Sequence, residues 1–185
     1  MKFTAITAVA ACASAVSAAP GGWSNMKAAP CPKSPFQFTS TYSVTATPDQ
    51  VVNGTTPTGG LPGAIGHYEL GLNSYTNTIC YNITLIGFRG NYQSAALTAT
   101  HLHEAAKGQS GPPRVAFPNP VGDEKYANSI GCMKGPFKTG LNGTDGVTDT
   151  GANFQVSQIE KNPAGFFVDV HSSLAVPGAV RGQIA

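Results

Sequence analysis

The chain has 185 residues, with 11 Lys+Arg against 9 Asp+Glu and a formal charge of +2. That near balance gives no electrostatic basis for binding nucleic acid or an anionic membrane. With 22 Gly, 14 Pro and only 11% charged residues, the composition suits many short strands joined by turns.

In chain order, Met1 to Ala18 comes first. Lys2 supplies an early positive charge, an apolar stretch runs from Ala5 to Val16, and Val16-Ser17-Ala18 forms a small-x-small cleavage site. This is the pattern of a secretory signal peptide, residues 1–18. The apolar stretch is too short to span a bilayer, which needs about 20 residues. The C-terminus, Gly182-Gln183-Ile184-Ala185, carries no hydrophobic tail for exchange with a lipid anchor. A secreted, extracellular, soluble product of charge +1 is expected once Lys2 is lost.

Residues 19–35 are Gly, Pro and small polar types without periodicity, an irregular lead. A single domain is expected over residues 36–185, long enough to bury a core. Phe36, Phe38, Ser40, Tyr42, Val44 and Ala46 alternate with polar residues, the period of a strand with one buried face. After a turn-rich stretch from Thr47 to Gly63, Ala64 to Leu72 alternates again. Tyr68, Leu70 and Leu72 share one face there, and His67 and Glu69 the other. Thr78 to Phe88 is rich in β-branched and aromatic residues, with Ile79, Tyr81, Ile83 and Leu85 in phase. Leu97 to Glu104 reads as another strand, and Arg114 to Phe117 as a short one closed by Pro118 and Pro120.

Gly122 to Gly151 is dominated by turn formers and reads as a long excursion, and Ala152 to Ile159 fits a strand or a short helix. Phe166 to His171 and Ala179 to Ile184 read as strands separated by a turn at Pro177-Gly178. No segment holds helical periodicity over three turns. The expected fold class is all-β, a sandwich or Greek-key barrel.

Cys12 leaves with the signal peptide, so Cys31, Cys80 and Cys132 remain for an oxidising compartment. One disulfide and one odd cysteine follow. The preferred pair is Cys80 with Cys132, because Cys31 sits in the proline-rich Ala29-Pro30-Cys31-Pro32. Sequons at Asn53, Asn82 and Asn142 are candidate glycosylation sites.

The histidines carry the only candidate chemistry. His101 and His103 are two apart on a strand, hence on one face and about 7 Å apart along it, a spacing from which two imidazoles can converge on one ion. His171 is in phase with Phe167 and Asp169 on another strand. If the strands are neighbours, His101, His103 and His171 form a set suited to copper or zinc, with Asp169 as a further oxygen ligand or an orienter of a ring. The competing reading is that each ring simply hydrogen-bonds to backbone. His67 is the least constrained histidine and reads as a solvent-exposed strand residue. Arg181 is expected to pair with Asp169 or another carboxylate and fix the strand ends.

Other chemistries are poorly served. No Gly-x-Ser-x-Gly elbow is present, the adjacent Asp123 and Glu124 read as a solvated turn, and Gly59-Gly60 lacks the Lys and helix of a phosphate loop. The cysteines lack zinc-ribbon spacing. No catalytic residue is assigned, and the chain is not expected to be an enzyme.

His101-Leu102-His103-Glu104-Ala105-Ala106 is followed by Gly108 and by Gly111-Pro112-Pro113-Arg114-Val115, then by Phe167-Val168-Asp169-Val170-His171-Ser172 and Gly178-Ala179-Val180-Arg181-Gly182-Gln183-Ile184. These elements resemble the CHRD domain, named after chordin and found also in bacterial and fungal secreted proteins. Ser172 stands where Thr is usual. The stretch Gly111 to Pro120 looks most like fungal secreted members. The resemblance implies an immunoglobulin-like or superoxide-dismutase-like Greek-key β-sandwich. It implies no settled activity. Because these motifs cluster around the histidines without an acid, base or nucleophile set, the first reading is a secreted extracellular binding or interaction module, partnered by an extracellular protein or the cell wall, whose His101, His103 and His171 bind a metal or form a polar cluster. Two alternatives stand beside it. One is a copper-dependent redox enzyme of dismutase-like chemistry, although the chain lacks the His- and Asp-bearing zinc loop of those enzymes. The other is a fungal secreted effector or cell-wall-associated protein.

Overall fold

A computed structural model describes residues 37–185. The expected signal peptide, the whole of the lead with Cys31, and Phe36 lie outside the described residues. The strands are β1 (Ser40–Ala46), β2 (Val52–Asn53), β3 (Thr56–Pro57), β4 (Ile65–Asn73), β5 (Thr78–Ile86), β6 (Thr100–Glu104), β7 (Pro113–Phe117), β8 (Val121–Gly122), β9 (Ala127–Lys134), β10 (Phe166–Ser172) and β11 (Ala175–Gln183). One short helix, α1 (Ser157–Lys161), precedes β10 and buries Ile159.

The strands form an all-β sandwich. A five-stranded sheet has the order β1-β4-β5-β9-β8, a four-stranded sheet the order β11-β10-β6-β7, and β2 and β3 make a small hairpin. The chain changes sheet between β5 and β6, between β7 and β8, and between β9 and β10, crossings of the kind a Greek-key sandwich requires. The core lies between the sheets. Val44, Tyr68, Leu70, Leu72, Ile79, Ile83 and Leu85 enter it from the five-stranded sheet, and Leu102, Val115, Phe117, Val168, Val170 and Val180 from the four-stranded one. Alternation in β1, β4 and β5 therefore places the residues the sequence predicts, and His67 and Glu69 face outward and are exposed.

Four local expectations are corrected. Within the supposed excursion Gly122–Gly151 lies β9, a full partner of β5. Its inward positions hold Ala127, Ser129 and Gly131 while Ile130 faces out at 72% exposure, so its polarity is inverted and the strand signal vanishes. The small residue at Gly131 makes room for Tyr81, whose hydroxyl would lie 2.8 Å from a Cβ there. Pro177 and Gly178 are not the β10–β11 turn. They fall inside β11, opposite a register shift between Val170 and Ser172, and the turn is at Ser173-Leu174. A proline without an N–H is tolerated because β11 is an edge strand, and Gly178 takes the positive φ of +146° that the bulge demands. Finally, the strand predicted from Leu97 begins only at Thr100, and Phe38 precedes β1 and lies over Gly71 on the outer face, within 2.6 Å of where a Cβ would sit.

Cys80 and Cys132 are directly opposite in the β5–β9 register and form a disulfide on the outer face of the five-stranded sheet. Asn53, Asn82 and Asn142 are all exposed.

Candidate metal centre

β10 pairs with β6 on one side and β11 on the other. In that register Asp169 sits between His101 and Arg181, and Phe167 sits between His103 and Gln183. Because side chains two apart share a face, Phe167, Asp169 and His171 all leave β10 on the side away from the core. In the five-stranded sheet the equivalent face is open. Here His101 is 1% exposed, Asp169 5%, His103 8% and Arg181 4%, since loops cover them.

The three imidazoles converge on Asp169. His101 Nδ1 is 3.5 Å and His103 Nε2 3.3 Å from Asp169 Oδ1, and His171 Nε2 is 3.2 Å from Oδ2. The four donor atoms all lie within 4.8 Å of one another. Bonds of about 2.0–2.2 Å to a tetrahedral ion imply ligand-to-ligand edges of about 3.3–3.6 Å, which the His101 and His103 distances to Oδ1 match, while His171 faces the other carboxylate oxygen. His67 projects from β4 on the other sheet and is not part of the cluster.

Each ring is anchored through its remaining nitrogen. His101 Nε2 donates to the Thr98 carbonyl at 2.7 Å, His103 Nδ1 to that of Gly111 at 2.8 Å, and His171 Nδ1 to that of Val176 at 2.9 Å. A carbonyl oxygen can only accept, so each outward nitrogen carries a proton and the inward nitrogen of a neutral ring is a lone pair. His101 Nδ1, His103 Nε2 and Asp169 Oδ1 have no hydrogen-bond partner. Three acceptors buried face to face repel one another unless a cation lies among them. Rings oriented by backbone carbonyls in this way are the usual surroundings of metal-binding histidines.

Asp169 and the rings around it also perturb one another electrostatically. Burial pushes the Asp169 carboxyl up, but the facing His103 and His171 rings outweigh it and hold the group well below the usual carboxylate range. Burial likewise lowers His171, and the adjacent Asp169 carboxylate overrides that and raises it to about 9. The polar-cluster reading therefore accounts for the His171–Asp169 ion pair, while His101 Nδ1, His103 Nε2 and Asp169 Oδ1 still have no hydrogen-bond partner.

Arg181 departs from its expected role. Its Nη1 donates to the Gln109 carbonyl at 2.8 Å, and its Nη2 to the Ala106 carbonyl at 3.3 Å and to Gln183 Oε1 at 3.4 Å. The guanidinium carbon lies 3.5 Å from the centroid of Phe167, which in turn stacks on His103 at 4.8 Å and 6°. Gln183 Nε2 donates to the Ala105 and Ala164 carbonyls. Arg181 and Gln183 thus fasten the loop after β6 over His103, and Gly182 between them lets β1 approach: a Cβ there would meet Val44 Cγ1 at 2.6 Å and the Thr45 carbonyl at 2.9 Å.

The sequence gives no sign of the anchoring carbonyls of Thr98 and Val176, because any residue supplies a carbonyl. Gly111 is the exception. A Cβ there would lie 2.0 Å from the Glu104 carbonyl, so only glycine lets the returning chain place its own carbonyl on His103.

The CHRD domain family model matches residues 42–184, from β1 to the end of β11. No curated protein and no solved structure matches the chain.

Proposed function

Since the chain belongs to the CHRD domain family, we propose that it is a secreted extracellular interaction module, not an enzyme, whose four-stranded sheet is cross-linked by one zinc or copper ion held by His101, His103, His171 and Asp169. The observation that carries the metal reading is the set of inward lone pairs on His101 Nδ1, His103 Nε2 and Asp169 Oδ1, buried without a proton donor. A divalent ion would convert that repulsion into four bonds and tie β6 to β10. With four protein ligands, the arrangement matches the closed sets of structural sites more than the three-ligand sets of catalytic ones. A disulfide, and the absence among the described residues of a helix long and apolar enough to cross a membrane, support an extracellular setting. The exposed Asn53, Asn82 and Asn142 are where a eukaryotic secretory pathway would attach glycans. The partner class is an extracellular protein or a cell-wall component.

Elemental analysis of protein purified without a His tag and dialysed after exposure to zinc or copper tests the metal reading. About one ion per chain is expected, and strongly sub-stoichiometric content after supplementation overturns it.

A second reading, a copper-dependent redox enzyme, draws support from a cavity of about 500 Å³ bordered by His101, His103 and His171. Superoxide consumption by copper-loaded protein decides it: a rate equal to that of His101→Ala ends the idea.

A further inference from the structure

A metal held in this cluster changes the charge of its surroundings. The three rings are neutral as ligands, and the Asp169 and Arg181 charges offset one another. A divalent ion therefore leaves two positive charges among groups largely removed from water: His101, His103, Asp169 and Arg181 are at most 8% exposed and the His171 side chain 16%. Glu104, which follows His103 in the chain, is committed to Arg114 at 2.8 Å. Buried charge without a partner is costly, and proteins supply a counter-charge or admit one.

The place to admit one exists. A cavity of about 170 Å³ opens beside the cluster, lined by His103, Asp169, His171, Arg181, Phe167 and Pro177. At about 30 Å³ per water it holds a small anion and a few waters, and it is well below the roughly 300–1,000 Å³ of pockets that take drug-sized molecules. Arg181 has partners for only three of its five N–H groups among the described residues, so donors remain on its guanidinium. Phe167 and Pro177 give the cavity apolar walls that strengthen any charge interaction inside it.

We infer that this cavity is an anion site that forms when the metal binds and takes a small monoanion, a carboxylate or inorganic ion, between the metal cluster and the Arg181 guanidinium. The inference rests on the metal reading above. The metal-free cavity carries less positive charge than the metal-bound one and holds an anion more weakly, so anion affinity is coupled to metal content.

Calorimetric titration of sodium azide into metal-free and zinc-loaded protein, with zinc content measured on the same samples, tests it. The zinc-loaded protein is expected to bind azide with a dissociation constant of about 1 mM or tighter, and the metal-free protein at least tenfold more weakly. Arg181→Met is expected to weaken azide at least tenfold while retaining zinc, and Arg181→Lys to recover part of the loss. If Arg181→Met does not fold, the wild-type comparison decides alone. Full zinc occupancy with no azide binding, or with equal binding to both forms, overturns the anion site and leaves the metal reading standing. Failure to take up zinc overturns both.

Discussion

The outer faces of the two sheets solve the same problem in opposite ways. On the five-stranded sheet the face is open to solvent, carries His67, Glu69 and Asn82 in the polar positions, and is bridged by the disulfide between Cys80 and Cys132. On the four-stranded sheet the face is roofed by loops, its titratable groups are buried, and its bridge is a knot of three imidazoles and a carboxylate. A polar face under a roof must find partners for every polar atom, whereas a polar face in water need not. Chemistry concentrates on the covered face for that reason.

If the two bridges are independent, each can be broken without disturbing the other. Joint Cys80→Ser and Cys132→Ser replacement opens a loop of 52 residues. It is expected to cost about 4 kcal/mol of stability by the chain-entropy relation, read by denaturant unfolding, while zinc content stays unchanged. A loss of zinc in that variant would show that the faces are coupled. Asp169→Ala should do the reverse. Zinc at 100 times its dissociation constant is expected to stabilise the wild type by about 2.7 kcal/mol, and thermal unfolding of the variant should show almost none of that gain. Equal gains in both proteins would remove Asp169 from the centre.

Gly111→Ala probes the roof and not the ligands. It should displace the carbonyl that orients His103 and weaken zinc about tenfold, or roughly 1.4 kcal/mol, measured by competition with a chromophoric chelator. Unchanged affinity would mean that His103 needs no anchor. His67→Ala, on the open face, is expected to change stability by no more than about 0.5 kcal/mol and zinc content not at all.

The same contrast governs what was legible in the sequence. Strands β1, β4 and β5 could be read because an open outer face leaves a clean alternation, polar out and apolar in. The cluster could be read in outline: His-x-His on β6 and the phase of His171 with Asp169 on β10 bring the rings together once those strands pair. What could not be read depends on backbone or on inverted polarity. The proton that each ring donates goes to a carbonyl, which carries no residue identity, and β9 turns its one β-branched aliphatic residue, Ile130, to solvent. The Pro177-Gly178 pair looks like a turn because its local chemistry is that of a turn. Only the edge position of β11 lets it serve as a bulge, whose preceding residue, Val176, supplies the carbonyl that holds His171.

That arrangement of anchors has a mechanical side. Thr98, Gly111 and Val176 belong to three separate surface segments, before β6, after β6 and within β11. Each segment grips one ring, so the donor set is jointly tensioned by three points of the exterior. Anything that docks against one of those segments and shifts its carbonyl changes how tightly the cluster holds a cation. By thermodynamic reciprocity the cation changes the docking affinity by the same factor. Occupancy of the centre and recognition at the surface would then be one equilibrium, with external metal concentration as its control.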